Sequence, residues 1–231
     1  MQNLIFYKKN RFKNTEKNYN QGDPMSTSPL MFDALVIQNL LGVKFLDVGC
    51  GHGKWGYLVK KYRRRTPEGS VSVTGVDLFE PHIAPLVREG VYDSVMVASA
   101  INMPFADKSF DSTIACEILE HLSQADGKKL ITELTRVSRL SFVVTTPNFA
   151  CLRGGCKTLN GFNEYEAHLY NYSYKEFCTL GFTQVVGMGL KTPFGKPSRI
   201  FGSLGYFFPR FSRYFVGFWF ADGKKRLLEI E

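Results

Sequence analysis

No CxxC pair, no paired set of cysteines and no apolar run long enough to cross a bilayer occurs in the 231 residues. The five cysteines, at 50, 116, 151, 156 and 178, are odd in number and scattered, which favours reduced thiols in a cytoplasm over a disulfide framework. Internal repeats and low-complexity tracts are also missing. At the N-terminus, Leu4 to Tyr7 precede their lysines, the reverse of the charge-then-apolar order of a secretory signal. Neither apolar nor charged residues are in short supply: at 44% and 22% they match a soluble globular chain with a sizeable core. The expectation is one α/β domain with an elaboration, located in the cytoplasm.

Charge is unevenly spread. Residues 1–65 hold 12 Lys/Arg against 4 Asp/Glu, which accounts for the whole formal net charge of +8. Residues 66–231 balance, although 191–231 carry 8 basic groups against 3 acidic ones. Basic ends suit nucleic acid, an anionic membrane surface or a phosphorylated substrate, and they equally suit plain solubility.

The chain turns on Lys44 to Gly56. A short apolar run, Phe45-Leu46-Asp47-Val48, passes through Gly49, Gly51 and Gly53 and enters an amphipathic helix. A strand, a tight turn and a helix N-terminus in that order make a nucleotide-binding corner. Gly49 and Gly51 permit backbone angles that a Cβ forbids, and Gly53 is expected to let a ligand lie against the main chain. Residues 1–27, polar and rich in Asn and Lys, read as a flexible basic arm. Ser28-Pro29 then opens a helix that Gly42 ends.

Past the corner, the helix from Lys54 carries Lys60, Lys61, Arg63, Arg64 and Arg65 near its end, where cations complement the helix dipole. A second strand, Val71 to Val76, closes on Asp77, placed where a ribose hydroxyl pair is held. Strands follow at 94–98, 112–116 and 140–146. Glu117-Ile118-Leu119-Glu120-His121 is expected to begin a helix, and Ser173 with Glu176 forms a capping box. The irregular stretch 149–171 contains His168. A strand at 182–190 and a last one at 214–221 bracket an insertion, about 191–213, rich in aromatics.

In order and spacing, Leu46 to Gly53, Gly75-Val76-Asp77, Met103-Pro104-Phe105 with Ser109-Phe110-Asp111, and Glu117 to His121 resemble the class I S-adenosylmethionine-dependent methyltransferases over roughly residues 40–190. The resemblance implies a Rossmann-like seven-stranded sheet of order 3-2-1-4-5-7-6 with strand seven antiparallel, in a single domain spanning 28–231. It implies that Asp47 and the backbone of Gly49, Cys50, Gly51 and Gly53 face the cofactor S-adenosyl-L-methionine. Asp77 takes its ribose hydroxyls, Leu78 lies against the adenine, and Ser99 and Ala100 meet the adenine edge. Many family members carry Asp where this chain has Ser99. A glycine-rich turn of this kind also fits a dinucleotide fingerprint, but the Met-Pro-Phe and Ser-Phe-Asp segments have no place in a nicotinamide dehydrogenase.

Glu117 to His121 also matches the Glu-x-x-Glu-His pattern of ubiquinone-biosynthesis O-methyltransferases and small-RNA 2′-O-methyltransferases. There the carboxylates and imidazole bind a divalent cation, and the RNA enzymes add a distant histidine after a Thr-Pro-Asn strand end. Here Thr146-Pro147-Asn148 precedes His168. On a helix, positions i, i+3 and i+4 share a face, and such donors suit Mg²⁺ or Mn²⁺. The expected metal set is therefore Glu117, Glu120, His121 and His168, with Glu117, His121 and His168 catalytic and Glu117 also beside the cofactor. The alternative is two acids favoured by a helix dipole and a packing histidine. His52 and His82 are expected on a loop and a helix surface. The acceptor is expected to be a small molecule, lipid-linked or glycan-like, with RNA as the alternative and peripheral membrane contact through the aromatic insertion. A scaffold that binds a partner without chemistry is the third reading.

Overall fold

A computed structural model describes residues 6–8, 33–63, 65–66, 69–148, 154–158, 161–190 and 208–225. The predicted helix start at Ser28-Pro29 and most of the aromatic insertion, through residue 207, lie outside the described residues. So does the arm apart from β1 (Phe6–Lys8), which pairs antiparallel with β6 (Ser94–Val97).

Around it the chain alternates strand and helix: α1 (Asp33–Gln38), β2 (Lys44–Val48), α2 (Lys54–Tyr62), a small hairpin of β3 (Arg65–Thr66) and β4 (Gly69–Ser70), β5 (Ser72–Asp77) and α3 (Ile83–Glu89). After β6 come β7 (Phe110–Cys116), α4 (Gln124–Val137) and β8 (Ser138–Pro147). A second hairpin, β9 (Cys156–Thr158) and β10 (Gly161–Asn163), leads to α5 (Tyr174–Cys178), β11 (Gln184–Leu190) and β12 (Ser212–Phe220). Eight strands form one sheet in the order β1-β6-β5-β2-β7-β8-β12-β11. β2 pairs parallel with β5 and β7, and β12 runs antiparallel to both β8 and β11. Without the edge strand β1, the order in chain terms is 3-2-1-4-5-7-6.

Strand β2 shows why the sheet has layers on both faces. Its side chains alternate, so Phe45 joins an apolar layer with Trp55, Val59, Leu86 and Tyr92, while Leu46 and Val48 join Leu119, Leu130, Leu134 and Phe215 on the other side. α4 presents Leu130, Ile131, Leu134 and Val137 to the sheet at helical spacing and is capped by Ser123, whose hydroxyl accepts the Asp126 N–H. α5 opens on the predicted capping box: Ser173 accepts from the Glu176 N–H and Glu176 accepts from the Ser173 N–H. Beyond it, the Phe177 and Phe215 rings stack at 5.3 Å. The antiparallel β12 covers the edge that β8 would otherwise expose, with Trp219 stacked on Phe142 at 5.2 Å.

The region after β7 departs from expectation. Glu117 begins no helix. It sits at a positive φ of 55°, Leu119–His121 make a single 3-10 turn, and the helix starts at Gln124. The Glu117 N–H donates to the Thr145 backbone oxygen at 3.1 Å, continuing the pairing with β8, and its left-handed φ keeps the residue out of a helix.

Candidate functional site

The parallel strands β6, β5, β2, β7 and β8 leave their carboxyl ends along one edge, and the chemistry-bearing residues gather there. The glycine turn after β2 is held against β5: Gly49 and Cys50 donate to the Val76 carbonyl at 2.8 and 2.9 Å, and Gly51 donates to the Asp77 carboxylate at 2.7 Å. Asp77 also accepts the Phe79 N–H at 2.8 Å. It therefore ties its own turn to the glycine corner with both oxygens, at the predicted ribose position.

The glycines divide their work. Among the described residues nothing lies within 4 Å of where a Gly51 Cβ would stand, and its φ is +49°, an angle that favours glycine. At Gly53 two further reasons favour a bare residue: its φ is +89°, and a Cβ on it would lie 2.6 Å from Leu86 of α3. Cys50 is buried beside Gly75 and Tyr92, which leaves its backbone as the part that reaches the corner.

Asp47 is wholly buried and accepts a 2.6 Å hydrogen bond from the Tyr92 hydroxyl, while its Oδ1 has no partner. Burial raises its pKa to about 7; the Tyr92 hydrogen bond works against the rise and the charge of Asp77 adds to it. His82, expected on a helix surface, is buried instead in a 3-10 turn (Glu80–His82). Its ring packs on Phe79 and His52, with Nδ1 3.5 Å from the Asp77 carboxylate. An apolar turn following Asp77 folds it under the loop, which a surface-helix reading of Pro81 to Glu89 could not foresee.

Between the tips of β5 and β6 lies a cleft of about 390 Å³, lined by Leu78, Phe79, Glu80 and Val97 and by Phe162, Glu164 and Tyr165 of the segment after β9. Leu78, which lines this cleft, is exposed. Ser99 and Ala100 are half-buried in the loop after β6, where Ser99 bridges to Asn102.

At the tips of β7 and β8 stand the carboxylates. Glu117 accepts from the Thr145 hydroxyl at 2.7 Å, and burial lifts its pKa to about 7 against the opposing pull of that hydrogen bond and of the Lys54 charge. Lys54 is itself buried, ion-paired to Asp33 at 2.6 Å and 4.7 Å from the Trp55 ring centre. A cation in the first turn of α2 runs against the helix dipole, and that anomaly is the trace this pair leaves in the sequence. Glu120 is buried and accepts from Thr146 at 3.1 Å. Burial drives its pKa well up, and the nearby charge of Glu117 adds to the rise.

The expected set of four metal ligands is drawn together only in part. Ligand atoms of Glu120, His121 and His168 lie within 4.8 Å of one another, and the two imidazoles meet edge-on at 4.7 Å. Glu117 falls outside that group, because the two acids are not on a shared helix face but are anchored to Thr145 and Thr146, whose side chains alternate across β8. The His121 ring is fixed by a 3.1 Å contact between Nδ1 and the Ala167 carbonyl, and the Glu120 carbonyl accepts the Leu169 and Tyr170 N–H groups. That pair of hydrogen bonds holds the segment carrying the distant His168 against the turn.

Comparison with known proteins bears on this edge. Residues 45–140 match a family described as a methyltransferase domain. The chain is 36% identical over 97 residues to an Arabidopsis thaliana tRNA (carboxymethyluridine(34)-5-O)-methyltransferase, covering 42% of this chain and 21% of that protein. It is 30% identical over 111 residues to the O-methyltransferase rstn1 of Aspergillus nomiae, 45% of each chain. The chain thus spans less than half the length of these curated relatives. Among solved structures, an S-adenosylmethionine-dependent methyltransferase from Archaeoglobus fulgidus superposes with a TM-score of 0.53 at 20% identity, over 80% of this chain and 91% of that one, a likeness of fold.

Proposed function

We propose that this chain, whose residues 45–140 match a methyltransferase domain, is an S-adenosylmethionine-dependent methyltransferase of class I that transfers the cofactor's methyl group to an oxygen of a small-molecule, lipid-linked or glycan-like acceptor. The observation that carries the reading is the meeting of two kinds of site on one sheet edge. An Asp77-tied glycine corner stands beside a cluster of Glu120, His121 and His168.

The residues fit the cofactor. Gly51 offers bare backbone, Asp77 offers carboxylate oxygens for a diol, and the cleft at Leu78 offers apolar walls for a purine. When bound, the cofactor supplies a methyl group on a sulfonium, poised for in-line displacement. The protein's share is then largely alignment, because two reactants held in contact avoid the entropic cost of meeting. Glu117, at the tip of β7, is the carboxylate assigned to the cationic end, and the Thr145 hydrogen bond and the Lys54 charge favour its ionised form against the upward push of burial.

A hydroxyl acceptor must also lose its proton. With Nδ1 of His121 hydrogen-bonded to the Ala167 carbonyl, the ring's lone pair is on Nε2, which suits a general base. One carboxylate and two imidazoles also suit a divalent cation such as Mn²⁺ or Mg²⁺, held by Glu120, His121 and His168; bound there, it would lower the acceptor's pKa. The test is S-adenosylhomocysteine production from candidate acceptors with added Mg²⁺ or Mn²⁺ and with chelator. Loss of turnover in chelator supports the metal-assisted form, and full activity leaves His121 as the base alone.

A second reading, RNA 2′-O-methylation, draws on the basic balance of the chain and on a relative named for tRNA modification. Parallel assays with RNA transcripts and with the small-molecule panel decide between them.

A further inference from the structure

We propose that Phe162 and Tyr165 form the outer wall of the adenosine site, covering the purine face opposite Leu78. The inference rests on the bound compound being an adenosyl cofactor and goes beyond that reading in assigning which part of the chain closes over it. The argument starts with topology. In the sheet order, β7 and β2 lie between β8 and the β5–β6 pair. Yet Phe162 and Tyr165, which follow β8 in the chain, share a cleft with Leu78, Phe79 and Val97 at the tips of β5 and β6. β10 and the described residues after it thus stand opposite the β5 and β6 tips, although β7 and β2 separate those strands from β8 in the sheet.

This wall is built, not loose. β9 and β10 pair antiparallel, and Asn163, buried at the end of β10, accepts the Tyr165 N–H at 3.0 Å. At Gly155 a Cβ would stand 2.5 Å from the Asn163 carbonyl and 2.7 Å from Cα of Glu164, so a bare position lets the strap cross itself closely. Against that held backbone three large apolar side chains remain uncovered around one cleft: Phe162 at 66% exposure, Tyr165 at 45% and Leu78 at 43%. Apolar surface gathered at a concavity marks a ligand's place. The cleft begins one residue after Asp77, so its occupant is what adjoins a ribose diol held there: a flat, apolar-faced base, which stacks on aromatic rings.

Calorimetry on the full chain tests this with S-adenosylhomocysteine and with 5′-methylthioadenosine, which keeps the nucleoside and lacks the amino-acid end. Phe162→Ala and Tyr165→Ala should each weaken both ligands by the same factor, about tenfold, while Phe162→Trp and Tyr165→Phe retain wild-type binding. Because both side chains are exposed, ligand-free thermal unfolding of the alanine variants should match the wild type. Wild-type affinity for both ligands in both alanine variants overturns the wall and leaves the cofactor reading standing. A loss confined to S-adenosylhomocysteine overturns it too, placing the strap at the other end of the cofactor. A wild type that binds neither compound overturns the cofactor reading and the wall with it.

Discussion

Replacing Asp47 with Asn probes the buried acid under the glycine corner. The carboxyl is sealed from solvent and accepts a hydrogen bond from the Tyr92 hydroxyl, which an Asn carbonyl can also accept. Its pKa rises from 3.8 to about 7, with burial as the main cause. A raised folded-state pKa means that the neutral form is favoured by folding. The contribution is complete below the unfolded-state pKa and is lost as pH climbs through about 7. At about 1.4 kcal/mol per pH unit, the full loss is about 4 kcal/mol, of which about 3 kcal/mol falls between about pH 5 and about pH 8.5. Glu117 and Glu120 also have raised pKa values, so the quantity to follow is the difference between wild type and Asp47→Asn, in which their shared titration cancels. Urea unfolding across that range should show the wild type losing stability relative to the variant as pH rises. A difference that stays constant with pH would refute the reasoning, since Asp47 would then be ionised in the fold throughout.

Other outcomes follow from the same geometry. Gly56→Ala drives a Cβ to 2.3 Å from the Tyr92 ring and should cost about 1–3 kcal/mol in urea unfolding, whereas Gly154→Ala, with nothing within 4 Å, should leave stability unchanged. Ser123→Ala removes the α4 cap and should cost about 1 kcal/mol by the same measurement. Thr145→Val takes away the donor that holds the Glu117 pKa down, so the acid limb of a methyl-transfer pH profile should move to higher pH; an unmoved limb would show that Glu117 does not govern it.

The glycine corner, the Asp77 tip, the capping box at Ser173 and the alternation of strands and helices were legible because each is a local pattern. The angles at Gly49 and Gly51, and the reach of a Ser173 hydroxyl to Glu176, depend on residues a few positions apart. The Glu117 to His121 turn was misread for the converse reason. Its spacing suits a helix face, but Glu117 takes a left-handed angle and pairs with Thr145, 28 residues away, so the acids divide between two anchors. The Lys54–Asp33 pair left only the misplaced cation as its trace and the Tyr92–Asp47 contact none, being made between residues 21 and 45 positions apart.

By itself, then, the sequence determined the parallel α/β frame and the corner at residues 44–56, since periodicity and glycine placement are short-range constraints. Which histidine meets which acid, the approach of Leu86 to Gly53, and the placing of Phe162 and Tyr165 in one cleft with Leu78 were decided in three dimensions. Such contacts arise only when strands distant in the chain align their carboxyl ends and pack the loops between them.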